Sequence, residues 1–84
     1  MVKILYFARL KETLGMGSEE IVLPPSINTL GGLRETLVLR GGEWAQALVH
    51  TSSVRAAVNQ EMAGADTPIR DGDEIAFFPP VTGG

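Results

Sequence analysis

Only one long segment of this chain carries an apolar repeat suited to a helix that could roof a sheet. Leu30, Leu33 and Leu37 fall at i, i+3 and i+7, one face of a 3.6-residue period. Five other segments read as strands, so the order is strand, strand, helix, strand, short strand, strand. A single main helix covers one side of such a sheet and leaves the other side without a roof. The class this predicts is α+β, a mixed sheet with the helix packed across one face, and a right-handed crossover after the second strand returns the later strands beside the first two.

The strands follow from alternation and from their stops. Val2, Ile4 and Tyr6 alternate with Lys3, Leu5 and Phe7, the period-two signal of a sheet. Leu10 to Leu14 suits a short helical turn ended by Gly15, and Glu19 to Leu23 reads as a second strand cut off by Pro24-Pro25. Asn28 or Thr29 suits the N-cap of the main helix, with Arg40 in its last turn and Gly41 just past its end. Gly31 and Gly32 weaken its first turn. Trp44, Ala47 and Leu48 repeat helical spacing in a shorter segment, and Trp44 belongs to the core. Val54 to Val58 is the next strand, with Val54, Ala56 and Val58 inward. Asn59 to Ala63 forms a turn and an edge strand, and Glu74 to Phe78 is the last strand. If Val2, Ile4, Tyr6, Ile75 and Phe77 lie under the helix, then Leu5, Phe7 and Phe78 point to the open side. Apolar residues there predict a docking patch.

Composition narrows the functional classes. The chain has 84 residues, a net charge of −3 and no run of Lys or Arg, which argues against a nucleic-acid footprint or an anionic membrane surface. No apolar run approaches a membrane span. Lys3 interrupts the N-terminal apolar stretch and no small-residue cleavage site follows, so a cytoplasmic address without a signal peptide is expected. The absence of cysteine excludes disulfides, thiolate metal sites and a cysteine nucleophile. His50 has no Ser or Cys partner in a recognisable arrangement. Asp71, Asp73 and Glu74 read as a turn and a strand start, since a calcium loop needs more ligands at regular spacing. Gly31-Gly32 lacks a phosphate-binding fingerprint. No metal site is expected.

Residues 79–84 read as an extended arm on a domain spanning 1–84. Pro79-Pro80 is stiff and favours extended neighbours, and Gly83-Gly84 removes every Cβ from the tip. Six residues reach at most ~20 Å at ~3.3 Å each. That length and that thinness suit insertion into another protein's active site.

The segment Asp71-Gly72-Asp73-Glu74-Ile75-Ala76-Phe77-Phe78-Pro79-Pro80-Val81-Thr82-Gly83-Gly84 closely resembles the C-terminus of the MoaD family, the small subunits of molybdopterin synthase. Val2-Lys3-Ile4-Leu5-Tyr6-Phe7-Ala8 and Ala56-Ala57-Val58-Asn59-Gln60 resemble that family too. The resemblance implies a ubiquitin-like β-grasp fold and a sulfur carrier. It implies that a MoeB-like E1 adenylyltransferase uses ATP and Mg²⁺ to adenylate Gly84, which becomes a thiocarboxylate; this chain itself binds no cofactor. It implies docking on a MoaE-like large subunit, in a heterotetramer, where the arm donates sulfur to cyclic pyranopterin monophosphate. Mapped onto this sequence, Gly83 and Gly84 are the reacting end. Phe7, Met62 and Phe78, with Lys11 as a charged contact and Pro79, Pro80, Val81 and Thr82 along the arm, face the partner. Met62 stands where the family is usually aliphatic. Alternatives are a ThiS-like carrier for thiazole synthesis, which Phe78-Pro79-Pro80-Val81-Thr82 disfavours, a ubiquitin-like modifier of protein lysines, and a binding module with an unmodified tail. If the Gly84 carboxyl is the reacting group, adding one residue after it abolishes sulfur transfer while leaving the melting temperature nearly unchanged. Wild-type transfer by the extended chain would disprove the assignment.

Overall fold

Val2, Ile4 and Tyr6 turn to the same side of the first strand and are sealed from solvent, as are Ile75 and Phe77 of the last. The computed structural model, which describes residues 1–49 and 52–80, places them in a five-stranded sheet. The elements are β1 (Val2–Tyr6), α1 (Ala8–Leu14), β2 (Ser18–Ile21), α2 (Leu30–Val38), α3 (Gly42–Leu48), β3 (Arg55–Val58), β4 (Glu61–Ala63) and β5 (Glu74–Phe78). The sheet order is β2-β1-β5-β3-β4, with β1 and β5 parallel and the remaining pairs antiparallel. This is the expected mixed sheet roofed on one side. The roof is more than one helix: Leu30, Leu33 and Leu37 of α2 are joined in the core by Leu10 and Leu14 of α1 and Leu48 of α3. Burying each such side chain contributes about 1.5–3 kcal/mol.

Local chemistry sets most boundaries. Gly15 ends α1 at φ 76°, a left-handed conformation that glycine adopts freely. Of the two candidate caps for α2, Thr29 takes the position, its Oγ1 accepting from the Gly32 N–H at 3.2 Å. The Leu30 and Gly31 N–H groups donate to the Thr67 and Ala65 carbonyls, both at 2.9 Å. A Cβ on Gly31 would lie 3.1 Å from Ala65, so this glycine admits the segment that closes the helix end. Asn59 and Gln60 both have positive φ, the geometry of a two-residue type I′ hairpin turn between β3 and β4.

Three expected boundaries are corrected. The helix α2 stops at Val38 with Leu39 as its cap, so Arg40 lies outside its last turn, and Gly41, at φ 78°, is instead the N-cap of α3. Strand β2 ends at Ile21, because its partner Val2 is the first residue of β1 and the ladder runs out there. Strand β3 begins at Arg55, opposite the last residue of β5, Phe78, which leaves Val54 ahead of the sheet.

Two polar knots fasten the roof. Arg34 of α2 reaches the end of α3, its Nε donating to the Leu48 carbonyl at 2.6 Å and Nη1 to the Val54 carbonyl at 3.0 Å. Its Nη2 donates to the Val49 carbonyl at 3.3 Å and to Ser52 Oγ at 2.8 Å. Carbonyls that the end of a helix leaves without partners are thereby satisfied. Burial draws the guanidinium pKa below its ordinary value. In the second knot Arg40 forks onto Glu19 of β2 at 2.8 and 2.9 Å, and the Tyr6 hydroxyl donates to the same carboxylate at 2.8 Å. The Arg40 guanidinium also lies over the Trp44 ring, 4.4 Å from its centroid. Trp44 meets Tyr6 edge-on at 5.4 Å, and Tyr6 stacks on Phe77 at 6.1 Å. Trp44 is therefore half-buried against the core rather than inside it.

Arg40 holds the Glu19 carboxyl below its ordinary pKa of 4.5 against the opposing effect of burial, and the Tyr6 hydroxyl adds to the lowering. Burial, then Glu19, pushes the Tyr6 phenol well up. A carboxyl depressed on folding contributes stability above its unfolded pKa and loses it as pH falls through the folded one. Glu19→Gln should therefore cost about 1 kcal/mol at pH 7, measured by urea unfolding. The gap to wild type should close as pH drops below 4.5. A gap that is constant between pH 7 and pH 3 would show that the charge of Glu19 contributes nothing.

Candidate functional site

Because β1 and β5 run parallel, their carboxyl ends leave the sheet at one edge, side by side. The arm follows β5 from that edge. The residues that follow β1, Phe7 to Arg9, lie beside it, and so does the start of β3, which is antiparallel to β5.

The unroofed face carries an apolar row. Leu5 pairs with Ala76, Ala76 with Ala57 and Ala57 with Met62, and cross-strand partners share a face. The row thus crosses four strands. Phe78 stands one step further towards the arm, opposite Arg55. Phe7 comes directly after Tyr6 and is 47% exposed; Met62 is 63% exposed. The three apolar contacts expected from the sequence, Phe7, Met62 and Phe78, are brought to one side of the sheet. Lys11 is exposed on α1 with its stem across Gly17, whose Cβ would come within 3.0 Å of Lys11 Cε. It therefore sits at the arm end, next to the apolar row rather than within it. Pro79 and Pro80 are half-buried and line an open cleft with Ala8 and Arg9. Val81, Thr82, Gly83, Gly84 and His50 lie outside the described residues.

The backbone at the arm end is unusual. Ala8 has φ 56°, a left-handed conformation that costs a non-glycine residue on the order of 1–3 kcal/mol. It turns the chain from β1 straight into α1. The Phe7 N–H still bonds to the Phe77 carbonyl at 3.1 Å, so Phe7 is anchored to the strand that carries the arm.

Elsewhere the polar groups serve the fold. Asp73 Oδ1 accepts from Asn59 Nδ2 at 3.0 Å and Oδ2 from the Arg70 N–H at 2.9 Å. Those two bonds, led by Asn59, hold its carboxyl below the ordinary range. The acidic turn thus closes a loop onto β3. Among the described residues no group of three His, Cys, Asp or Glu could hold a metal ion, and no helix is long and apolar enough to cross a membrane. A groove of about 340 Å³ on the roofed side lies between α2 and strands β3 and β4. Arg34 within it is already held by four protein acceptors.

Sequence reasoning did not single out Ala57, Ala76, Arg9 or Arg55. Strict alternation from Phe77 and Ala56 would have placed the two alanines on the open face. The two arginines gave no local signal.

The ThiS family model matches residues 4–84. The molybdopterin synthase sulfur carrier subunit of Escherichia coli is 42% identical over 84 residues, all of both chains. Among solved structures, the complex of subunits 1 and 2 of molybdopterin-converting factor from Helicobacter pylori matches with a TM-score of 0.67 and 26% identity, over 99% of this chain and 97% of that one. SAMP1 from Haloferax volcanii matches with a TM-score of 0.75 and 25% identity, over 99% and 98%.

The face assignment makes a direct prediction for unfolding experiments. Phe77→Ala, at a site with no exposure, should cost about 3–5 kcal/mol, whereas Phe78→Ala should cost clearly less, about 1–2 kcal/mol for partial burial. Equal costs, or the reverse order, in urea titrations would invert the two faces.

Proposed function

The chain belongs to the ThiS family, and from that premise we propose that it is the sulfur-carrier subunit of a molybdopterin synthase, with the Gly84 carboxyl as the carrying group. The observation that carries this reading is the 42% identity to the Escherichia coli sulfur carrier subunit along the whole of both chains. A ThiS-like role in thiazole synthesis ranks below it on that ground. The likeness to SAMP1 keeps protein modification as the outcome to test against.

The chemistry asks little of this chain's side chains. The terminal carboxylate, ionised at neutral pH, attacks the α-phosphorus of ATP on an E1-like adenylyltransferase of the MoeB type, and pyrophosphate leaves. The acyl-adenylate has a good leaving group, so sulfide displaces AMP and leaves a thiocarboxylate on Gly84. ATP and Mg²⁺ belong to the activating enzyme. The charged arm then enters the site of a MoaE-like large subunit and passes its sulfur to cyclic pyranopterin monophosphate, and water regenerates the carboxylate. The Helicobacter pylori complex of subunits 1 and 2 supports a large-subunit partner. The open face suits that docking, with Phe7, Phe78 and Met62 as apolar anchors and Lys11 at the rim. Pro79 and Pro80 lower the entropy lost when the arm is inserted, because their φ is already restricted in the free chain.

Complementation separates the readings. Strains lacking their own molybdopterin carrier should regain molybdoenzyme activity with this chain, while thiazole-carrier strains remain thiamine auxotrophs. Rescue of the thiamine strain alone would transfer the protein to thiazole synthesis. Gly84-linked adducts on many cellular proteins, without molybdoenzyme rescue, would make it a modifier.

A further inference from the structure

The two ends of the sheet differ in charge, although the chain as a whole is acidic. At the arm end Arg9, Lys11 and Arg55 are exposed. The acids near them are Glu12 on α1 and Glu35, which lines one groove with Arg55; Glu19, at mid-sheet opposite Ile4, is already paired with Arg40. At the opposite end Glu20, Asp71, Asp73 and Glu74 outnumber Lys3 and Arg70, while Glu61 stands at mid-sheet, level with Ile4 and Ile75. Among the described residues the ion pairs are Met1 with Asp71 and Arg40 with Glu19, so neither Arg9 nor Arg55 has a carboxylate partner.

Topology puts these two arginines on either side of the arm's root. Strand β5 lies between β1 and β3. Arg9 follows the left-handed turn at Ala8 and lines a cleft with Pro79 and Pro80. Arg55 is the cross-strand partner of Phe78, the last residue before the prolines. We propose that Arg9 and Arg55 form a cationic collar at the root of the arm, read by carboxylates on the rim of the protein site that the arm enters. This rests on the carrier reading given above. A planar guanidinium fits a carboxylate through two parallel hydrogen bonds. The collar is continuous with the apolar row through Phe78, so a partner seated on that row meets both arginines. The anion assigned is a carboxylate of the protein whose site the arm enters; a nucleotide phosphate bonded to Gly84, which the arm can hold as far as ~20 Å from the root, is the competing anion.

Stopped-flow association of the full-length carrier with the large subunit of molybdopterin synthase from the same organism, without ATP, tests this. Arg9→Gln/Arg55→Gln should associate about tenfold more slowly at low ionic strength with little change in dissociation rate, as loss of rim charges does. The difference should vanish near 1 M NaCl, where the Debye length is about 3 Å. Arg70→Gln, at the other end, should stay within about twofold of wild type. Wild-type association rate and salt dependence in the double variant would overturn the collar. A defect seen only with the activating enzyme and ATP would overturn it too, by assigning the arginines to a nucleotide. Failure of the wild-type chain itself to bind the large subunit would remove the functional reading and the collar together.

Discussion

The parallel pairing of β1 with β5 at the centre of the sheet is the constraint on which the rest depends. It aligns Ile4 with Ile75 and Tyr6 with Phe77, so the largest buried side chains of the two strands meet under the roof. Parallel neighbours need a long crossover, and every other element, from α1 to β4, lies in the connection between these two strands. The same pairing makes both strands finish at one edge. The chain beyond β5 therefore leaves beside Phe7, Ala8 and Arg9, and the apolar face runs without a break into the root of the arm.

A domain of this size buries a modest core and keeps a small net stability, so its polar contacts matter to the uniqueness of the fold. Glu19 is the sharpest example. It bonds to Tyr6 and Arg40 only while Glu19 faces Ile4 in the ladder. A one-residue slip of β2 would turn its carboxylate to the open face and strand the Tyr6 hydroxyl in the core. Arg34 performs the corresponding service for the roof, closing the end of α3 over the start of β3. Among the described residues no buried side-chain polar atom lacks a partner.

This division of labour suits a carrier. The roofed side holds the tightly packed core, while the open side keeps large apolar groups such as Met62 and Phe7 in solvent, a cost that a docking partner would remove. Strain at Ala8 falls at the point where sheet, helix and arm meet.

Much of this was legible in local pattern. Alternation in Val2–Tyr6 and Glu74–Phe78, the Leu30/Leu33/Leu37 repeat and the breakers at Gly15, Pro24 and Asp71–Asp73 identified the elements and their inward residues, because period and backbone restriction are properties of neighbouring residues. The open-face positions of Leu5, Phe7 and Phe78 followed from the same alternation. The boundaries of β2 and β3 did not, because a strand ends where its partner ends, and Val2 and Phe78 are remote in sequence. Arg40 was misplaced for the same reason: its partners, Glu19 and Trp44, lie on other elements, and their attraction outweighs a local preference for the helix terminus. By itself the sequence determined the strands, the main helix, the buried stripe and the thin proline-stiffened tail. Tertiary structure alone decided that Arg9 and Arg55, 46 positions apart in the numbering, stand on either side of that tail, since only strand order and register bring distant charges to one edge.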